Sequence, residues 1–154
     1  MLKKISKTYG QQSIIASIDY KKINNKYEFY IKNGKQKLKI DAKNYLSKLN
    51  NYPIGEIIMN SIDRDGTGNG LDFEILKTLP KKIKKSIIIS GGCGNALHLS
   101  EGLKNKKVDA VSTANLLNFL GDGLKKAREN MLKNKFNLPK WDVNTIKYLK
   151  GGIN

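Results

Sequence analysis

Ile57-Ile58-Met59-Asn60-Ser61-Ile62-Asp63-Arg64-Asp65-Gly66-Thr67-Gly68-Asn69-Gly70 runs from consecutive apolar residues straight into a loop of carboxylates, hydroxyls and glycines. A short, unbroken apolar segment predicts a strand buried on both faces of a parallel sheet. Sheets and barrels of that kind carry their sites in the loops after the C-terminal ends of the strands. The loop from Ser61 onward is therefore the first place to look for chemistry.

Outward from this stretch the same pattern recurs. Ser13–Ile18 predicts a strand ending at Asp19, Glu56–Ser61 a second, Ser86–Ser90 a third that enters Gly91-Gly92-Cys93-Gly94-Asn95, and Val108–Thr113 a fourth. Between the first two, Tyr27–Ile31 and Lys37–Ile40 flank Asn33-Gly34, a hairpin signal. Helices are predicted from Asp41 to Leu49, from Asp72 to Pro80, from the N-cap Asn95 through Leu103, and over 123–133. The order is four successive βα units. Such a series forms either an open doubly wound sheet or half of an eight-stranded barrel.

Composition bounds the function. The 154 residues suit one domain, here 1–134, with 135–154 as a C-terminal tail lacking clear period. No apolar run reaches membrane-spanning length and the N-terminus lacks a signal peptide, so a cytoplasmic protein without membrane association is expected. Cys93 is the single cysteine, which rules out an internal disulfide and a multi-cysteine metal site. The net charge of +16 would suit nucleic acid, but the lysines are spread evenly and Arg64 and Arg128 are the only arginines. With neither patch nor motif, no nucleic-acid partner is expected, and the charge reads as a preference for phosphorylated metabolites.

Several candidate sites compete with plainer readings. Asp63, Asp65, Thr67, Gly68 and Glu74 resemble a calcium loop, but a β-type run precedes them where a calcium hand needs a helix. No metal is therefore expected. The glycines at 66, 68, 70 and at 91, 92, 94 do not fit a dinucleotide fingerprint, and no cofactor is expected. Gly91 and Gly92, at a strand end before a helix and beside Ser112-Thr113-Ala114-Asn115, predict a phosphate cup built from backbone N–H groups. Asp19 can serve as a general acid or base or can merely cap a turn. His98 reads as a solvated helix residue, Cys93 as a passive small residue, and Tyr27, Phe29, Tyr30 and Tyr45 as packing residues.

Taken together these residues resemble the C-terminal half of the cyclase subunit of imidazole glycerol phosphate synthase. Ser17-Ile18-Asp19 with Lys21 is similar to that family's fifth strand, Ser61 to Thr67 to its sixth-strand signature, Ser90 to Gly94 to its seventh-strand phosphate loop, and Asp109 to Asn115 to its eighth strand. Cys93 and Asn115 depart from the usual alanine and serine. The resemblance covers residues 5 to 133 and implies a (βα)4 half of a TIM barrel. It implies an ammonia-using cyclisation of a bis-phosphorylated substrate in histidine biosynthesis, with Asp19 catalytic. Asn60, Asp65, Gly66, Gly91, Gly92, Ala114 and Asn115 would bind substrate and phosphate, and Glu56 would be a gate residue on the ammonia path. A glutaminase subunit would supply the ammonia.

The resemblance also implies that the first strand, a second catalytic aspartate and a second phosphate site lie before Met1. Such a half needs an N-terminal half-barrel or self-association to complete it. Tyr27 to Gly34, Asn60, Asn115 to Phe119 and Leu138 to Trp141 are similar to a cyclase-like branch that channels ammonia for surface-sugar amidation. A phosphate-binding half-barrel without chemistry and a glutaminase-docking protein are the non-enzymatic alternatives.

Overall fold

The computed structural model describes residues 1–114, 116 and 123–138. Its strands are β1 Ile15–Ile23, β2 Lys26–Ile31, β3 Gln36–Lys37, β4 Glu56–Ser61, β5 Ser86–Ser90 and β6 Ala110–Ser112. The helices are α1 Leu2–Tyr9, α2 Ala42–Ser47, α3 Ala96–Lys104 and α4 Gly123–Lys133. The strands form one sheet in the order β3-β2-β1-β4-β5-β6. β1, β4, β5 and β6 are mutually parallel, and β2 and β3 extend the sheet as antiparallel ribbons.

β1 does not stop at Asp19. It continues to Ile23 because Asn24 and Asn25 both take the left-handed conformation (φ 49° and 58°), which a two-residue hairpin turn requires. The turn folds β2 back so that Asp19 pairs with Tyr30 and Ile23 with Lys26. The sequence reading missed this hairpin; the expected one at Asn33-Gly34 forms β2 and β3. Asp41 caps α2 by accepting the Asn44 N–H at 2.8 Å, and Asn95 caps α3 by accepting the His98 N–H at 3.0 Å. The helix expected after Asp72 is only a 3-10 segment, Phe73–Lys77. Asp72 caps it, and Thr78 turns its hydroxyl back onto the Ile75 carbonyl at 2.6 Å.

The strands are buried on one face, not two. Burial alternates along β4 and β5, so Ile57, Met59, Ile87 and Ile89 are closed off while Ile58 and Ile88 stay half-exposed. The closed face packs on Leu46, Leu49, Ile75 and Leu76 from the flanking helical segments and on Leu79 just after them. A continuous apolar run cannot distinguish one covered face from two, since the covering layer is not encoded in the run. The open face carries three rows set by the register. Ile15, Glu56 and Ser86 form the first, Ser17, Ile58, Ile88 and Ala110 the second, and Asp19, Asn60, Ser90 and Ser112 the third. Among the described residues the sheet ends at β3 on one side and β6 on the other, and Ile15–Ile18 of β1 are also unpaired on the side where β2 has not yet joined.

Candidate functional site

The third row lies at the C-terminal end of the parallel strands. There Asn60 donates its side-chain amide to Asp19 Oδ1 at 2.9 Å. The register makes this contact, pairing Asp19 with Asn60 across β1 and β4 and both side chains onto the open face. One carboxylate oxygen is thereby held by a directed hydrogen bond. Lys21 stands one turn of the pleat beyond Asp19, its ammonium 4.9 Å from the centre of the Tyr30 ring.

Beside this pair the loops after β4, β5 and β6 converge. Asp65, Gly66, Gly91, Gly92, Cys93, Ser112, Thr113 and Ala114 line one small cavity. Its volume is about 10 Å³, close to what one water occupies. Asn115 lies outside the described residues. Of the residues singled out in the sequence, Asp65, Gly66, Gly91, Gly92 and Ala114 are brought together here, and Asp19 and Asn60 stand in the neighbouring row.

Glycine at 91 and 92 is a geometric requirement. Both have φ near +90°, and a Cβ on Gly91 would meet the Ser61 carbonyl oxygen at 2.3 Å, one on Gly92 the Gly70 oxygen at 2.3 Å. The Gly70 N–H donates to the Gly92 carbonyl at 2.8 Å. Arg64 braces the loop from within, its Nη1 donating to the Gly70 and Leu71 carbonyls at 3.2 and 3.3 Å. The Asp63 carboxyl is penalised by partial burial, yet hydrogen bonds from the Ser61 hydroxyl (2.7 Å) and the Lys22 N–H (3.1 Å) outweigh this and hold its pKa below the usual range. Glu74 is engaged by Lys22 and Lys77. The carboxylates of the apparent calcium loop are thus turned to other partners, and no three metal-binding side chains converge among the described residues.

Burial pushes the Cys93 thiol up, which keeps it protonated and poorly nucleophilic. Its carbonyl accepts the Thr113 hydroxyl at 3.2 Å, tying the β5 and β6 loops together. His98 is not solvated: it is half-buried, and its Nδ1 accepts the Gly94 N–H at 3.1 Å. The signal available in the sequence was the Asn95-to-His98 capping spacing, which places the ring at the mouth of the glycine turn. Tyr27, Phe29 and Tyr45 are packing residues, Phe29 lying 5.3 Å from Tyr45 and Tyr27 5.6 Å from Tyr20 between ring centres.

Glu56 occupies the same open face at the other end of β4, four residues and therefore roughly 13 Å from the Asp19–Asn60 row. A wider cleft of about 410 Å³ lies at that end, lined by Lys81, Lys84, Lys85, Lys106 and Lys107. It contains none of the residues of the cup.

A profile of the histidine biosynthesis protein family matches residues 1–121. The chain belongs to this family. Among curated relatives, it is 44% identical over 141 residues to a protein of Parasynechococcus marenigrum that carries the provisional name imidazole glycerol phosphate synthase subunit hisF2, covering 91% of this chain and 52% of that protein. It is 33% identical over 129 residues to imidazole glycerol phosphate synthase subunit HisF of Chlorobaculum parvum (84% and 51% covered). It is 32% identical over 160 residues to the subunit of that name in Methanococcus vannielii (90% and 58% covered). The chain spans about half the length of the curated relatives it matches. Within the family its mostly parallel sheet with flanking helices is that of half a TIM barrel. No described helix is long and apolar enough to cross a membrane.

Proposed function

We propose that this chain supplies the C-terminal half of a cyclase of the imidazole glycerol phosphate synthase type. Ammonia from a glutaminase subunit would be used to cleave and close a bis-phosphorylated ribulosyl formimino carboxamide ribonucleotide. The observation that carries this reading is the juxtaposition of Asp19, oriented by Asn60, with the glycine-walled cup at one end of the open sheet face. Asp19 would exchange protons with the reacting ring atoms. Asp65, Gly66, Gly91, Gly92 and Ala114, with Asn115, would grip one phosphate of the substrate, aided by the N-terminus of α3.

Glu56 supports the second part of the reading. It shares the open face with Asp19 but sits at the opposite strand end, where an ammonia inlet would lie. The lysine-lined cleft at the same end suits an acidic docking surface on the glutaminase. The half-exposed Ile58 and Ile88, together with the unpaired parallel edges at Ile15–Ile18 and β6, call for a covering partner, because exposed edges invite pairing. That partner would be a complementary N-terminal half-barrel or a second copy of this chain. The names carried by the relatives favour the histidine branch over surface-sugar amidation.

The test is ammonia-dependent cyclisation by the chain alone and with a supplied N-terminal half, with Asp19→Asn as control. Turnover on completion, lost in Asp19→Asn, is the expected result. Equal activity in Asp19→Asn would remove the catalytic assignment. Phosphate-dependent thermal stabilisation without turnover would favour a binding module, and capture of a glutaminase without any substrate effect would favour a docking protein.

A further inference from the structure

His98 sits in the first turn of α3 and belongs to none of the groups assigned above. Its Nδ1 lies 3.1 Å from the Gly94 nitrogen, whose N–H points at it. An N–H donor demands a lone pair, so Nδ1 is the accepting atom of this contact, while Nε2 lies 3.5 Å from the Asn95 side-chain nitrogen. The ring also covers Gly70: a Cβ built there would come within 3.5 Å of Nε2 and 3.6 Å of Cδ2. The His98 backbone N–H is taken by Asn95 Oδ1 at 3.0 Å, which fixes where the side chain starts.

The residues under the ring are themselves a seam. Gly94 is packed so closely on Gly68 that a Cβ would lie 2.6 Å from the Gly68 Cα. Gly70 is tied to Gly92 by a 2.8 Å backbone hydrogen bond. The imidazole therefore lies across the junction of the loop after β4 and the turn after β5, which contribute Asp65, Gly66, Gly91 and Gly92 to the cup. Helix capping does not require it, since Asn95 performs that task. Without an acceptor at this position the Gly94 N–H loses its partner in a part-buried setting, and the turn is free to rotate its peptide planes toward another one.

We infer that His98 is a positioning residue of the phosphate cup. It fixes the relative placement of the two loops by accepting the Gly94 N–H and covering Gly70. The inference rests on the cup reading given above and adds to it the residue that sets the cup's geometry.

The full chain is titrated with inorganic phosphate by calorimetry, as wild type and as His98→Asn, His98→Gln and His98→Phe. Nitrogen-15 spectra of the same samples follow the Gly94 amide. Asn can place an oxygen where Nδ1 stands, whereas Gln reaches toward the Nε2 position and Phe keeps the ring without an acceptor. Phosphate binding is expected to weaken roughly tenfold in His98→Phe and His98→Gln, and to stay within about threefold of wild type in His98→Asn. The Gly94 amide should lose exchange protection in the first two and keep it in the third. If His98→Phe does not fold, the Gln and Asn variants carry the comparison. Wild-type affinity in a folded variant lacking the acceptor, or equal weakening in His98→Asn, would overturn the inference and leave the cup standing. A wild-type chain that binds no phosphate would overturn the cup, and the inference with it.

Discussion

Asn60 and Asp19, 41 residues apart in the chain, are joined by a 2.9 Å hydrogen bond at the end of two parallel strands. The bond fixes the carboxylate on the open face of the sheet through its Oδ1 oxygen. Asp19→Asn keeps the shape and removes the basic oxygen. In the completed barrel it is expected to lower cyclisation by roughly a hundredfold or more, the usual scale of general acid–base work. Asn60→Ala should lose less, about tenfold, because it frees the carboxylate without removing it. Steady-state rates with ammonium as nitrogen donor, alongside melting curves, check both.

Gly92→Ala is expected to cost several kcal/mol. The new Cβ would meet the Gly70 carbonyl oxygen at 2.3 Å on a backbone with φ +91°, combining overpacking with left-handed strain, terms of roughly 1–3 kcal/mol each. Gly94→Ala meets Gly68 backbone at 2.6 Å but lacks the positive φ, so it should be the milder of the two. Urea denaturation midpoints give the order. Reversal of that order would show that the seam yields more easily at Gly92 than its geometry indicates.

Tyr20 is fully buried, its hydroxyl beside Ser61 but without a well-formed hydrogen bond among the described residues, because the Ser61 hydroxyl donates to Asp63. Tyr20→Phe removes a desolvated group without leaving a cavity, so stability at neutral pH should be unchanged or rise by about 1 kcal/mol. Burial first, and the Asp72 carboxylate second, raise the phenol pKa of both Tyr20 and Tyr27. The folded state therefore holds protons that the unfolded chain releases above about pH 10. Their contribution is complete below that pH and is lost as the pH rises beyond it. Denaturation midpoints between pH 8 and 11 should fall less steeply in Tyr20→Phe than in wild type, and tyrosinate absorbance at the same pH values shows when the phenols ionise.

Ile58 lies in the middle row of the open face, paired with Ser17 on β1 and Ile88 on β5. Ile58→Lys should leave the helix-covered core of the isolated chain intact, yet abolish association with a complementary half-barrel or with a second copy. Sedimentation of the chain alone and mixed with an N-terminal half measures this. A wild-type chain that stays monomeric in both samples would rule out both forms of completion.

The sequence alone determined a good deal. The strand positions at Glu56–Ser61 and Ser86–Ser90, the helix start near Asp41, the cap at Asn95 and the helix at Gly123–Lys133 were legible because each depends on neighbours within a few residues. The glycines at 91 and 92 were legible because only glycine adopts their backbone conformation cheaply. What it could not determine depends on contacts between distant segments. Whether Ile57 to Met59 have one covered face or two rests on the layer opposite, and the weak helix after Asp72 yielded to a 3-10 segment closed by Thr78. Asp19 and Asn60 became a pair only through the register of β1 on β4, and His98 moved from an apparently solvated position to the seam of the cup only when α3 was set against the loop at Gly70. Tertiary structure decided these because hydrogen-bond partners and burial are properties of the surroundings, which local sequence does not contain.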